Sequence, residues 1–434
     1  MRRLVIAVLS VSTTAAVAIA GCRGPTFQTG GGTSCEPEAA AFAGADCGAF
    51  VEADAEGNGT QQAPYSTIGE AIENGATRIY VCGDSHIEAV SVPAGIAIYG
   101  GLACGTWEFA LDRRTELTAP SDRIPLLLLG GNGTIVEGFR VVAPHAEEAG
   151  GSSIAFVADE VTATLRRVDI VALDAKAGVD GQPGNIGASG KDGASATGSA
   201  PPQGGSSTCD ARGGAGGTGA VSSSGAEGDP NQDNGGSAGC TSGGDGDSAP
   251  SPGQDGFDQE GLGSIDLSGY HPPQLGAVGD TGKPGGGGGG GGSVQNAAGG
   301  AGGSGGCGGA GGLPGSSGGS SIAILSLNAS LTFEECSASV GRAGDGGQGG
   351  VGGPGGEGGE GGTGFANACD GGDGAVGGTG GRGGDGAGGH ALIVAFLGDM
   401  PDLDGLVFST PDQLQAGTSA GQSGRAEASL DFTP

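Results

Sequence analysis

Short apolar runs recur along the first 180 residues, rich in β-branched side chains and separated by turn residues. They are Arg78–Cys82, Ala89–Val92, Ile96–Tyr99, Leu126–Leu129, Thr134–Val142, Ile154–Val157 and Val161–Val171. Gly83-Asp84, Pro93-Ala94-Gly95, Gly100-Gly101 and Gly130–Gly133 lie between them. This is the pattern of many short strands. One segment has helical periodicity instead. In 66–75, Ile68, Ala71 and Ile72 fall at i, i+3 and i+4, Thr67 and Glu70 have capping-box spacing, and Gly75 supplies a stop. With no long helix between the strands, a doubly wound α/β sheet is excluded, and a β-sandwich and a parallel β-helix remain. Triplets of strands at coil-like spacing and one amphipathic helix suited to cover an open end favour the β-helix.

The strand pattern echoes itself far downstream. Ser152–Phe156, Thr164-Leu165 and Val168 are matched by Ser320–Ile324, Thr332-Phe333 and Cys336, all 168 residues later, and His390–Phe396 is a third echo. The intervening chain is of another kind. Glycine makes up 105 of the 434 residues, and 78 of these lie within 178–389. They fall on every third position through 178–193, 276–291, 300–318, 341–362 and 371–389. A three-residue period is that of the polyproline II helix. Three readings compete: a collagen-like triple helix, a flexible linker, and an intrachain bundle of polyproline II helices with glycines facing inward. The short connections 292–299 and 363–370 would set their flanking blocks antiparallel and favour the bundle.

The N-terminus reads as an export signal: Arg2 and Arg3, then the apolar stretch Leu4–Ala20. Ile19-Ala20-Gly21-Cys22 resembles the lipobox of bacterial lipoproteins, which implies that Cys22 carries lipid. Arg23 at the next position, by the same resemblance, points to the outer membrane. The other nine cysteines have no zinc-ligand spacing. In an oxidising compartment disulfides are their default, with one thiol left over. Cys307 and Cys369 are expected to staple the glycine hairpins, and Cys209 and Cys240 to close another loop. A net charge of −31 argues against nucleic-acid partners.

Ala63–Ile72, then Ile79-Tyr80-Val81, then Val90–Gly101 resembles the entry of pectin-lyase-like right-handed parallel β-helices, and Ile135–Val141 resembles a further rung. The resemblance covers about residues 50–175. It implies an all-β fold in which a short helix plugs one end and each coil returns after about twenty residues. Cys82 and Cys104, 22 apart, would then lie one coil apart and bond. The glycine-rich runs resemble PE-PGRS repeats in composition and the glycine-rich snow-flea antifreeze protein in repeat geometry.

The expected organisation is a signal peptide (1–21), the lipidated cysteine with a flexible tether (22–46), β-helix entry and first coils (47–177), glycine-rich insertions interleaved with a rung at 320–340 (178–389), and a last rung with a C-terminal tail (390–434). Enzymes of the resembled family use aspartate clusters with calcium and a basic residue, or paired aspartates. Here only Arg140, Arg166, Arg167 and Asp169 are on offer, with no aspartate ladder visible, so no catalytic and no metal site is assigned. His86, His145, His271 and His390 read as surface histidines. Gly380–Asp385 matches the start of a calcium nonapeptide once, as expected by chance in so glycine-rich a chain. No cofactor is expected beyond weak calcium binding to exposed carboxylates. The function this supports is a lipid-anchored envelope scaffold or adhesin that meets polysaccharide or other cells' surfaces. A polysaccharide lyase or hydrolase is the alternative.

Overall fold

A computed structural model describes residues 35–37, 46–83, 85–219, 222–229, 240–247 and 251–434. The expected signal peptide and Cys22 lie outside the described residues.

The protein is nearly all β. In chain order the strands are β1 (Ala49–Glu52), β2 (Arg78–Cys82), β3 (Ser85–Ile87), β4 (Val90–Pro93), β5 (Ala97–Leu102), β6 (Thr115–Thr118), β7 (Leu126–Glu137), β8 (Phe139–Val142) and β9 (Ser153–Arg166). There follow β10 (Asp169–Val171), β11 (Ser264–Asp266), β12 (Gly269–His271), β13 (Ser321–Leu327), β14 (Ser330–Glu334), β15 (Cys336–Ser339), β16 (Ala391–Leu397), β17 (Leu406–Phe408) and β18 (Ala426–Asp431). One sheet of ten strands runs β1-β2-β5-β7-β9-β13-β16-β18, with β4 beside β7 and β14 beside β9. A second, of six strands, runs β17-β15-β10-β8-β6-β3. Every pairing in both is parallel, and among the strands of the described residues only β11 and β12 form an antiparallel hairpin. The chain alternates between the two large sheets as it advances.

The helix α1 (Ile68–Glu73) is shorter than its periodicity predicts. Thr67 accepts the Glu70 N–H, and Glu70 reaches back to the Ser66 N–H at 3.1 Å. The free N–H groups of Ile68 and Gly69 donate to the Glu88 carboxylate, as the first turn of a helix requires. Gly75, at φ +81°, ends it. Ile68 and Ala71 are buried against the apolar cluster between the sheets, which draws Val51, Val81, Val136, Phe139, Phe156, Leu165, Ile324 and Val394 together.

Two corners repeat in register. Gly138, Arg167, Glu335 and Gly405 all have positive φ at the step from the large sheet to the small one. Gly130, Glu160, Asn328 and Gly398 do the same at a bend within the large sheet. A left-handed residue makes the sharp turn that each pass needs, and a non-glycine residue there is mildly strained.

The 168-residue echo is a physical register. Ser321 pairs with Ser153, Ser330 with Thr162 and Ser337 with Asp169. Gly178, Gly181, Gly184, Gly187, Gly190 and Gly193 donate to the carbonyls of Asp345, Gln348, Val351, Pro354, Glu357 and Glu360 at 2.7–2.9 Å, which extends nearly the same offset into the glycine-rich chain. Gly347 to Gly362 donate, every third residue, to carbonyls running backwards from Ser316 to Ala301. Gly371 to Gly389 do so to Gly362 back to Gly344. These hydrogen bonds all lie within one chain, and residues 285–293 at their centre are buried.

Several expectations need correction. Gly130–Gly133 does not separate two strands, because β7 runs through it, and the break falls instead at Gly138. Of the expected tether only 35–37 and 46 are described; there Cys35 is bonded to Cys47 (Cα–Cα 5.5 Å), and the Tyr80 hydroxyl donates to the Cys35 carbonyl at 2.6 Å. Cys209 is bonded to Cys307 and Cys240 to Cys369, in place of the expected Cys209–Cys240 and Cys307–Cys369 pairs. The glycine segments that come side by side are not those joined by the short connections alone, so the cysteines meet new partners.

Candidate functional site

The charged residues flagged from the sequence converge on the outer face of the six-stranded sheet and its adjoining corner. The register sets Glu116 (β6), Arg140 (β8), Asp169 (β10) and Ser337 (β15) in one row across four strands. Parallel neighbours about 4.8 Å apart place alternating charges in direct contact. Arg140 Nη1 donates to Glu116 Oε2 at 2.6 Å, Ser337 Oγ donates to Asp169 Oδ1 at 2.8 Å, and Arg114 Nε lies 4.0 Å from Asp169 Oδ2.

At the corner a second row forms from the ends of β7, β9 and β14: Glu137, Arg166 and Glu334. Arg166 sits 2.8 Å from Glu334 and 4.0 Å from Glu137. Arg167 takes the left-handed turn, and this swings its side chain inward to pair with Glu137 and to lie 5.0 Å above the Phe109 ring. Glu137 is 1% and Arg167 5% exposed. Sequence reasoning about Arg166-Arg167 found the two cations and missed Glu137, Glu334, Glu116 and Arg114. The 168-residue spacing of Arg166 and Glu334 was the available signal for one of these.

Each guanidinium of this region therefore faces a carboxylate. A lyase needs a base that is free to take a proton, and a paired, fully charged guanidinium is a poor one. The arrangement suits holding successive passes of chain in register.

The histidines divide. His145 and His271 lie near Asp174 and Asp266, with His271 Nε2 3.0 Å from Asp266 Oδ1. The Ser268 hydroxyl, followed by His271, holds the Asp266 carboxyl down at about 2. His86 and His390, expected at the surface, are buried. His86 points inward from β3 and bonds the Cys82 carbonyl at 2.9 Å. His390 accepts the Arg425 N–H at Nδ1 and meets the Leu262 carbonyl at Nε2, both at 3.0 Å, which fixes the Nε2–H neutral tautomer. Burial, foremost, lowers its pKa. Tyr270 and Phe432 stand edge-on to its ring, and burial pushes the Tyr270 hydroxyl up to about 12.

The single calcium-like match also has a structural occupation. Asp385 is 3% exposed, accepts the Gly349 N–H at 2.7 Å and is clasped by both terminal nitrogens of Arg382. Burial raises its carboxyl, and these hydrogen bonds outweigh burial and leave it below the usual range.

Cys82 is bonded to Cys104, with Cα atoms 5.0 Å apart. Glu52 lies beside this bridge; bonded sulfurs do not serve as thiolate ligands. Cys336 keeps a buried thiol, which donates to the Leu165 carbonyl. Comparison of the chain with known protein families, characterised proteins and solved structures finds no match.

Proposed function

We propose that this chain is a lipid-anchored protein of the bacterial envelope that acts as a non-catalytic scaffold or adhesive protein at the cell surface. In this reading the alternating parallel strands close into a right-handed β-helix with α1 at its entry. The segments 178–319 and 341–389 are then a polyproline-II-type glycine bundle laid against the coils. The observation that carries the proposal is the pairing of Arg114, Arg140, Arg166 and Arg167 with carboxylates, which commits the charged face to structure. Four disulfides support an oxidising compartment. Anchoring through Cys22 rests on the sequence.

The test is turnover of uronate polysaccharides by the native protein and by Arg140→Ala and Arg166→Ala. The scaffold reading expects no turnover in any of the three, together with retention of the protein on polysaccharide or cell surfaces. Turnover by the native protein that is lost in either variant overturns it in favour of a lyase or hydrolase. Labelling of cells with a lipid precursor, lost on Cys22→Ser, tests the anchor separately.

A further inference from the structure

We propose that a hollow beside the β11–β12 hairpin takes a lysine side chain of a partner protein, its aliphatic stem on leucines and its ammonium at Asp159 and Asp266. The hollow, of about 490 Å³, lies between the hairpin turn and the bend of the large sheet. The register builds its floor. Asp159, Leu327 and Leu397 are partners across β9, β13 and β16. Each comes just before a left-handed residue of the bend, Glu160, Asn328 or Gly398. Ile265 of β11 and Leu267 at the turn line it from the hairpin side.

The row across the strands reads Leu129, Asp159, Leu327, Leu397, so one carboxylate interrupts three leucines. Among the described residues the Asp159 side chain has no hydrogen bond and no ion pair. The Asp266 carboxylate accepts the Ser268 N–H at 2.7 Å and its hydroxyl at 2.6 Å, and meets His271 Nε2 at 3.0 Å. These bonds converge on Oδ1, which leaves acceptor capacity at Oδ2. No lysine or arginine lines the hollow, and Leu267, 42% exposed, offers apolar surface beside the two carboxylates. A compact cation on an aliphatic stem satisfies both parts, since a lysine lays its stem on apolar surface and keeps its charge at the rim. The source of that cation follows from the shape. Asp266, Leu267, Ser268 and Asn328 are all exposed, so the hollow is open and a free amine would stay mostly hydrated in it. The Asn328 side-chain amide, without a partner among the described residues, is placed to meet the peptide groups that flank a lysine in a polypeptide. The net charge of −31 draws a basic partner toward the chain.

The experiment follows the methyl resonances of the secreted full chain, carrying Cys22→Ser so that no lipid contributes, as a blocked lysine (N-acetyl-lysine N-methylamide) is added. It is run at about 0.15 M salt, where the Debye length is roughly 8 Å and general attraction to an acidic chain is screened. The expected result is a saturable shift at Ile265, Leu267, Leu327 and Leu397, with an affinity in the millimolar range. Asp159→Asn should weaken binding about threefold. Asp112→Asn, which removes one exposed charge elsewhere, should leave it unchanged. The ε-acetylated probe, which has lost the ammonium, should bind more weakly by at least the same factor. n-Butylamine, which keeps stem and ammonium and lacks the peptide groups, should also bind more weakly. Absence of a saturable shift at these methyls overturns the proposal, and so does an Asp159→Asn chain that binds as the Asp112→Asn chain does. n-Butylamine binding as tightly as blocked lysine assigns the hollow to free amines and overturns the partner protein. If Asp159→Asn does not fold, the comparison of the ε-acetylated and free probes on the native side chains decides.

Discussion

The Asp180 carboxylate accepts the backbone N–H of Gln348, 168 residues further along the chain, at 2.8 Å. Asp174 does the same for Arg342 and Asp192 for Glu360, both across 168 residues. One spacing thus governs strand pairing and side-chain anchoring alike. Replacing all three aspartates by alanine is expected to cost about 1 kcal/mol at each site. Replacement by asparagine, which keeps an acceptor, should cost much less. Denaturant unfolding of the two triple variants measures the difference, and equal losses would show that the carboxylates do not anchor the neighbouring segment.

Glu137 and Arg167 meet out of solvent, and removing the carboxylate leaves a buried guanidinium without this partner. Glu137→Ala should lose roughly 3–5 kcal/mol. Glu137→Leu with Arg167→Met removes both charges and should recover most of the loss, since an apolar pair of similar volume needs no desolvation compensation. Thermal melts of the single and double variants check this; a double variant no more stable than the single one counts against it.

A Cβ at Gly305 would fall on the carbonyl oxygen of Gly285. Gly305→Ala is therefore expected to destabilise the glycine-rich region by about 3 kcal/mol. Gly198 has open space around its Cα, and Gly198→Ala should be neutral or gain about 0.5 kcal/mol through the unfolded chain. Hydrogen exchange of the amides at 300–318 reads both effects. Equal protection in the two variants would argue against close backbone packing.

His390 is held neutral, with its folded pKa below the ordinary value of about 6.5. Its contribution is present above pH 6.5 and is lost as pH falls through the folded pKa, because the unfolded chain binds the proton first. Unfolding free energy followed from pH 7 to pH 5 should fall in the native protein. The fall should be shallower in His390→Gln. Matching slopes would remove His390 as the source.

Much of the fold was legible where side chains declare themselves. β2 falls on its expected residues, and the 168-residue echo is the β9–β13, β9–β14 and β10–β15 register. β18 was invisible because Ala-Glu-Ala-Ser-Leu-Asp has helical propensity, and its extended form comes from pairing with β16. The site was half legible. Arg140 and Arg166 could be picked out by their place in strands. Nothing in the local sequence of Glu137 announces that Arg167 will turn back onto it, since that depends on the left-handed corner. Disulfide partners were unreadable for a similar reason: they follow from which glycine segments lie side by side, and every block carries nearly the same pattern.

The buried glycine stretch 285–293 and the apolar cluster between the sheets answer temperature to different degrees. Exposing apolar surface raises heat capacity by about 0.45 cal/K/mol per Å², while exposing peptide groups lowers it by about 0.26. Unfolding the strands follows the first rule, so their stability fades on chilling. Unfolding the glycine layers uncovers little besides backbone, so the second term offsets more of the first. One continuous chain thus joins two parts whose unfolding is expected to change heat capacity by different amounts per residue.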